Sequence, residues 1–189
     1  PVSPKKRALG KALRMSGWDR YCSEKYIEPI PTDHDFAVMM GKASGNLICL
    51  DFDKCDSLDV LNDIIPDCLN KTLVVRSGNG YHIYLRTTDV ATKDDGKPIA
   101  TIYLHKEIKG VTYNLELKAH GSYVIGASSD HYEKDDQGKY YKSDKTYRVI
   151  SNRTEVQVLS ATHLELFATL KEKEWLTKSE VKIGADGTF

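Results

Sequence analysis

The chain has 189 residues, of which 40% are hydrophobic and 29% are charged, and its 27 basic residues balance its 27 acidic ones. This length suits a single domain with a buried core, and this composition excludes a disordered chain. No run approaches the roughly 18 consecutive apolar residues of a spanning helix, so we expect no membrane partner.

The start of the chain and its cysteines indicate the compartment. The first residues contain no apolar run of the kind that a secretory signal requires. The four cysteines form no C-x-x-C pair and have no histidine at zinc-finger spacing, which argues against a zinc module. We therefore expect a reduced protein of the cytoplasm.

The neutral total conceals an uneven distribution of charge. Residues 29–67 carry eight acidic and two basic residues. In contrast, residues 1–28 carry three acidic and seven basic residues, and residues 68–129 carry five acidic and eight basic residues. Clustered carboxylates are costly unless they are solvated, paired or bound to a cation. The acidic block is therefore either a solvated loop and helix or a cation site flanked by surfaces suited to polyanions.

The first half of the chain predicts two strands followed by a helix. An apolar run over residues 36–40 predicts a short buried strand, and a second run over 47–50 leads directly into Asp51-Phe52-Asp53. Ser57 is a typical N-cap, and the helical spacing of apolar residues after it ends at Pro66. The strand before the helix thus ends on two carboxylates.

Strands predominate in the second half. Residues 72–75 and 81–85 flank the small-residue turn Ser77-Gly78-Asn79-Gly80, which predicts a β-hairpin. A weaker strand is predicted over residues 99–104 and a stronger one over 112–117, where apolar and polar residues alternate.

The last predicted elements are a ribbon within residues 140–150 and a helix over 162–173. The order of strand, helix and then a strand-rich section predicts a mixed α/β or α+β domain with a largely antiparallel sheet. We expect a basic N-terminal extension over residues 1–14, one folded domain over 15–175 and a loose C-terminal tail over 176–189.

Asp51 and Asp53 are the first candidates for chemistry. Carboxylates at positions i and i+2 of a strand point to the same face. Two carboxylates so close together repel each other unless a cation lies between them. Hard oxygen ligands of this kind suit Mg²⁺ or Mn²⁺, which clamp phosphate oxygens in two-metal phosphoryl transfer. A solvated strand end is the alternative.

The hairpin from Arg76 to His82 is the second candidate. Its small residues Ser77, Gly78 and Gly80 allow a backbone to come close to a ligand, and turn amides can form an anion-binding nest. Arg76 and His82 lie on opposite arms of the hairpin, and both could donate to phosphate oxygens. The Walker pattern is absent, and an ordinary hairpin turn with a surface histidine is the alternative.

Glu116 is the third candidate. Alternation along its strand puts Asn114, Glu116 and Lys118 on one face. An acid in this position is a candidate third metal ligand, with a lysine two positions further on. An exposed strand face with a cross-strand ion pair is the alternative.

Together and in this order, the three features resemble the bifunctional primase-polymerase (prim-pol) domain of the archaeo-eukaryotic primase superfamily. That domain occurs in replication proteins of plasmids, phages and related mobile elements. The stretches that carry the resemblance are residues 45–53, 72–85 and 115–125, and the loops over 127–131 and 138–141 resemble those that follow in the family. The resemblance covers most of the chain.

The resemblance implies a template-dependent DNA primase or polymerase whose core is a largely antiparallel sheet flanked by helices. Asp51, Asp53 and Glu116, the last in place of the family's usual aspartate, would hold two divalent ions, Mg²⁺ or Mn²⁺. A primer 3′-hydroxyl would attack the α-phosphorus of the nucleotide and release pyrophosphate. The residues implied to bind that nucleotide are Arg76, Ser77, Gly78, Gly80, His82 and Lys118.

The implied partners are a DNA template and primer, deoxynucleoside or ribonucleoside triphosphates, and a helicase domain or protein. If a phage or plasmid encodes the chain, the expected compartment is the host cytoplasm. The basic residues within 1–14 either contact the template backbone or form a disordered tail.

Two other functions remain open from the residues alone. One is a degenerate nucleic-acid-binding module whose acids no longer hold metal. The other is a haloacid-dehalogenase-like phosphatase, which also uses Asp-x-Asp at the end of an apolar strand. Lys54-Cys55 after the second aspartate does not match the pattern of that phosphatase family.

Overall fold

A computed structural model of the protein describes residues 16–27, 35–93 and 96–177. The predicted basic extension and most of the predicted tail lie outside these residues. The first two residues of that tail, Leu176 and Thr177, form an edge strand of the main sheet instead, because they pair with a neighbouring strand. They therefore belong to the folded domain.

The centre of the described fold is an eight-stranded sheet whose pairings are antiparallel except for one. In spatial order, the strands on its main path are β10 (Arg148–Val149), β3 (Val74–Arg76), β4 (Tyr81–Arg86), β2 (Leu47–Asp53), β6 (Val111–Lys118), β5 (Thr101–Ile108) and β12 (Leu176–Thr177). The eighth strand, β11 (Gln157–Val158), pairs in parallel with β4. The prediction of a largely antiparallel sheet in a mixed α+β domain is confirmed.

Two small sheets accompany the main one. They are formed by β1 (Ala37–Met39) with β7 (Tyr123–Ile125), and by β8 (Asp130–Lys134) with β9 (Tyr140–Thr146). The strand predicted over residues 36–40 is confirmed as β1. The ribbon predicted within residues 140–150 is not formed as one unit. Its first strand, β9, pairs with β8, while β10 joins the main sheet. β8 buries only His131, so it lacks the apolar alternation that marks a strand in the sequence.

Turn residues account for both hairpins of the main sheet. The predicted hairpin of β3 and β4 closes with the Ser77 amide donating to the Gly80 carbonyl at 2.9 Å. β5 and β6 are joined by Lys109 and Gly110, whose φ angles of 52° and 78° are the positive values that a two-residue hairpin turn requires. The sequence predicted a shorter strand, ending at residue 104, since β5 has no buried residue after Leu104 and its apolar alternation ends there.

The three α-helices of the described chain are α1 (Leu58–Ile64), α2 (Cys68–Lys71) and α3 (His163–Glu172). α1 and α3 confirm the predicted helices, and α3 begins with a capping box in which Thr162 and Glu165 each accept from the other's backbone amide. The sequence did not predict α2, since four residues are too few to show a periodicity. No described helix is long and apolar enough to cross a membrane.

The main sheet buries different residues on its two faces. Leu50 and Phe52 of β2 belong to a large buried cluster that also contains side chains of α1 and α3, and Phe52 lies 5.8 Å from the ring of Trp175. Since successive strand residues point to opposite faces, both helices pack on one face. The small β1–β7 sheet covers part of the other face, where a second buried cluster lies. The buried residues of the second cluster are Met40, Leu47, Cys49, Val75, Tyr84, Val124 and Tyr147.

We predict that His163, at the start of α3, makes the fold sensitive to acid. Burial lowers the pKa of His163 to about 4, against an opposing effect of Asp89. The folded state therefore favours the neutral ring, and this stability is complete above the unfolded pKa of 6.5. It is lost as the pH falls from 6.5 to about 4, by up to about 3 kcal/mol.

Urea unfolding across this pH range measures the effect, with His163→Gln as the comparison. Titration of the other groups is common to both proteins, so the wild type should lose more stability than the variant between pH 7 and pH 4. Equal losses in the two proteins would contradict the assignment to His163.

Candidate active site

The register of the three central strands brings the predicted residues together. Asp51 on β2 lies directly opposite His82 on β4 and directly opposite Glu116 on β6. Directly paired residues point to the same face, with Cβ atoms about 4.5–5.5 Å apart. Asp53 and Lys118 share this face, because each lies two residues along its strand from one of these acids.

Asp51 has a basic group on each side. The Nε2 atom of His82 lies 3.4 Å from Oδ1 of Asp51, and the Nζ atom of Lys118 lies 3.6 Å from Oδ2. Lys118 also donates to Oε2 of Glu116 at 2.5 Å. The side chains of Asp51 and His82 are only 12% and 5% exposed, so these interactions are poorly screened by water.

Lys118 keeps its proton in this setting. Burial acts to lower the pKa of Lys118, but the carboxylates of Asp51 and Glu116 outweigh burial, and the pKa is raised. The ammonium therefore neutralises part of the negative charge that the three acids bring to this face of the sheet.

These side chains form one side of a cleft of about 350 Å³. The lining also includes Trp18 and Tyr123, whose ring centroids lie 4.8 Å apart with the rings nearly perpendicular. A concave site with an aromatic wall and a few converging charged groups suits a small organic ligand. The described residues that line the cleft are Trp18, Asp51, Asp53, His82, Glu116, Lys118, Gly121, Ser122, Tyr123, Val124, Ile125 and Tyr147.

Sequence reasoning did not include the aromatic residues in the site. Tyrosines on half-buried strands are more often packing residues, and neither Trp18 nor Tyr147 lies next to a motif. Tyr147 lines the cleft, and its ring centroid lies 5.5 Å from that of His82. Burial, followed by the charges of Asp51 and Asp53, raises the pKa of Tyr147, so its hydroxyl remains a proton donor.

His82 lies beside Asp51 on the neighbouring strand, with one ring nitrogen facing the carboxylate. The residue is only 4% exposed, and its Nδ1 atom has no hydrogen-bond partner among the described residues. Its Nε2 atom, which lies toward Asp51, is therefore the atom placed to donate to that carboxylate or to a phosphate that enters the cleft.

The glycines of the predicted turn serve packing within the protein. A Cβ atom on Gly80 would lie 1.7 Å from the carbonyl oxygen of Phe52, and one on Gly78 would lie 2.1 Å from the ring of His131. The small residues thus allow the turn to approach β2 and β8. Four of the expected nucleotide-binding residues do not line the cleft: Arg76, Ser77, Gly78 and Gly80.

Arg76 lies on the opposite face of the sheet from His82. Its strand partner is Tyr81, the neighbour of His82, so the two basic side chains point in opposite directions. The Arg76 guanidinium donates to the Cys55 carbonyl at 2.9 Å, pairs with the Asp56 carboxylate and lies over the Tyr81 ring. The structure therefore does not bring Arg76 and His82 to one phosphate, and Arg76 holds the loop before α1 against the hairpin.

The β8–β9 ribbon is tied to the same turn from the other side. Lys145 donates to the side-chain oxygen of Asn79 at 2.7 Å and to Glu133 at 2.9 Å. The His131 ring packs against Gly78, and its Nδ1 atom forms a hydrogen bond of 2.9 Å with Oγ of Ser143. The loop that resembles the family's histidine-containing loop thus supports the hairpin.

Asp51, Asp53 and Glu116 supply the oxygen donors that Mg²⁺ and Mn²⁺ prefer. Within the part of the chain that the structure describes, no group of three His, Cys, Asp or Glu side chains is arranged to hold a metal ion. The Lys118 ammonium instead contacts both Asp51 and Glu116. The donor chemistry of these three side chains fits a divalent cation.

Comparison with known protein families matches residues 1–161 to bifunctional DNA primase/polymerase, N-terminal. No match is found among curated proteins. The family description supports a function of the DNA primase or polymerase type, with DNA and nucleotides as substrates, and it confirms the resemblance drawn from the motifs. Because the match covers most of its length, the chain belongs to the family of bifunctional DNA primase/polymerase N-terminal domains.

Proposed function

We propose that the chain is a template-dependent nucleotidyltransferase that adds nucleotides to a 3′-hydroxyl in the cleft beside Asp51. The observation that carries this proposal is the register that sets Asp51 opposite both His82 and Glu116. It concentrates acidic and basic groups at one side of an open cleft, as phosphoryl transfer requires. Family membership supplies the class of reaction.

Three carboxylates of this cleft would hold the divalent ions: those of Asp51, Asp53 and Glu116. Two bound ions, Mg²⁺ or Mn²⁺, would stabilise charge on the triphosphate and favour ionisation of the 3′-hydroxyl. The residues of the chain then have the task of positioning. The strand pairing fixes the backbone of all three acids, and His82 restrains Asp51.

The phosphate contacts of the nucleotide fall to His82 and Lys118 in this proposal. Both line the cleft and both present nitrogen donors toward Asp51. Arg76 and the turn glycines are left out, since they lie away from the cleft. The rings of Trp18 and Tyr123 form an apolar wall against which the base or sugar can pack.

The proposed reaction joins the primer 3′-oxygen to the α-phosphorus and breaks the bond between that phosphorus and the pyrophosphate leaving group. A DNA template and primer would approach from the open side of the cleft. A helicase, in a longer chain or as a separate protein, is the partner that this activity needs on duplex DNA.

A degenerate binding module is the second candidate function. The contact of Lys118 with Asp51 and Glu116 favours it, since a permanent internal ion pair would take the place of the metal. Extension of a labelled primer with Mg²⁺ or Mn²⁺ separates the two functions. DNA binding without extension would support the binding module, and hydrolysis of phosphomonoesters would support a phosphatase.

We predict that Asp51→Asn and Asp53→Asn each reduce primer extension at least about a hundredfold, because each removes a charge on which cation binding depends. Asp63→Asn is the matched control, since Asp63 pairs with Lys106 outside the cleft. Circular dichroism should show that all three variants are folded. Full activity in both cleft variants would overturn the proposed function.

We predict that His82→Ala raises the KM for the nucleotide about tenfold, with a smaller change in kcat, because a charge-assisted contact to phosphate is lost. His105→Ala serves as the control, because His105 does not line the cleft. Steady-state extension at varied nucleotide concentration gives both constants. A KM equal to that of the wild type would remove His82 from this role.

We predict that Arg76→Ala lowers the stability of the fold and has little effect on nucleotide binding. The variant should lose about 1 kcal/mol of unfolding free energy, since Arg76 links Cys55, Asp56 and Tyr81 at a partly exposed site. Its KM for the nucleotide should stay within about twofold of the wild-type value. Urea unfolding and extension assays provide the two measurements, and a large KM increase with unchanged stability would contradict this placement.

A further inference from the structure

Lys118 lies where a cation would contact the acids. Its Nζ atom is 2.5 Å from Oε2 of Glu116 and 3.6 Å from Oδ2 of Asp51. The lysine side chain is 17% exposed, so the ammonium is largely withdrawn from water and exchanges hydration for these two carboxylates. Among the described residues that line the cleft, Lys118 is the only lysine or arginine.

A metal ion and this ammonium compete for the same oxygens. Mg²⁺ binds carboxylate oxygens at about 2.0–2.1 Å and demands near-octahedral geometry, which leaves no space for an ammonium in contact with the same atoms. Positive charges this close also repel each other. Binding of a cation by Asp51 and Glu116 therefore requires Lys118 to leave.

Lys118 can leave without moving the backbone. Its position on β6 is set by pairing on both sides, to Cys49 on β2 and to Thr101 on β5. The flexible four-carbon stem can nevertheless carry the ammonium away from the acids. A triphosphate in the cleft offers it new oxygen partners at the moment that the cation takes the old ones.

We propose that Lys118 is an exchangeable internal counter-ion, which occupies the acidic site until a divalent cation displaces it and then turns to the nucleotide phosphates. The inference rests on the proposed function and adds a regulation of the same site. It makes metal binding weak without nucleotide, because the cation must displace Lys118. It makes metal and nucleotide binding mutually supportive, because the displaced ammonium gains the phosphate.

Titration of the protein with Mn²⁺ alone, without nucleotide or DNA, tests the proposal. Lys118→Met removes the competing charge and keeps the length of the side chain, so its Kd for Mn²⁺ should be about tenfold lower than that of the wild type. Lys118→Arg keeps the charge and should bind Mn²⁺ no more tightly than the wild type. Lys106→Met, which removes a lysine paired with Asp63 outside the cleft, should leave the Kd unchanged.

Thermal unfolding provides a readout that does not depend on catalysis. Without metal, Lys118→Met should unfold at a lower temperature than the wild type, since its two carboxylates have lost their counter-ion. Added Mn²⁺ should raise its unfolding temperature more than it raises that of the wild type. A merely structural lysine would give the first change without the second.

A Kd for Mn²⁺ in Lys118→Met that equals or exceeds the wild-type value overturns the proposal. If the wild type extends primers in parallel assays, only the counter-ion role fails and the proposed function stands. If no protein of the series binds Mn²⁺ and the wild type extends nothing, the proposed function fails as well.

Discussion

The pairing of β2 with β4 on one side and β6 on the other is the constraint on which the site depends. Because these strands are antiparallel, three residues far apart in sequence, Asp51, His82 and Glu116, fall in one row across the sheet. A slip of one residue would turn the acids to the helix-packed face. Burial of Leu50 and Phe52 opposes such a slip, so the core that stabilises the fold also positions the acids.

The same row explains how a neutral chain can suit a polyanionic substrate. The acidic block of residues 29–67 contributes Asp51 and Asp53, and the basic stretch that follows contributes His82 and Lys118. Strand pairing places both signs within about 4 Å of each other, where they stabilise one another. The neutral total thus excludes only binding by bulk charge.

The hairpin shows where prediction from local pattern succeeds and where it ends. Its turn residues predicted the correct strands, since turn chemistry acts within a few residues. The face on which each side chain lies depends on the number of residues in the turn. The pairing of Arg76 with Tyr81 turns Arg76 away from His82, so a basic residue of the motif holds a loop instead of lining the cleft.

The sequence by itself determined the strands of the central hairpin, β2, helices α1 and α3, the two faces of β2 and the family, because alternation, caps and the order of motifs are present in short stretches of the chain. Only the tertiary structure decided which strands pair with β2 at Asp51, which aromatic residues line the cleft, and where the Lys118 ammonium lies. These depend on the register and packing of segments separated by dozens of residues, and no local pattern of side chains encodes them.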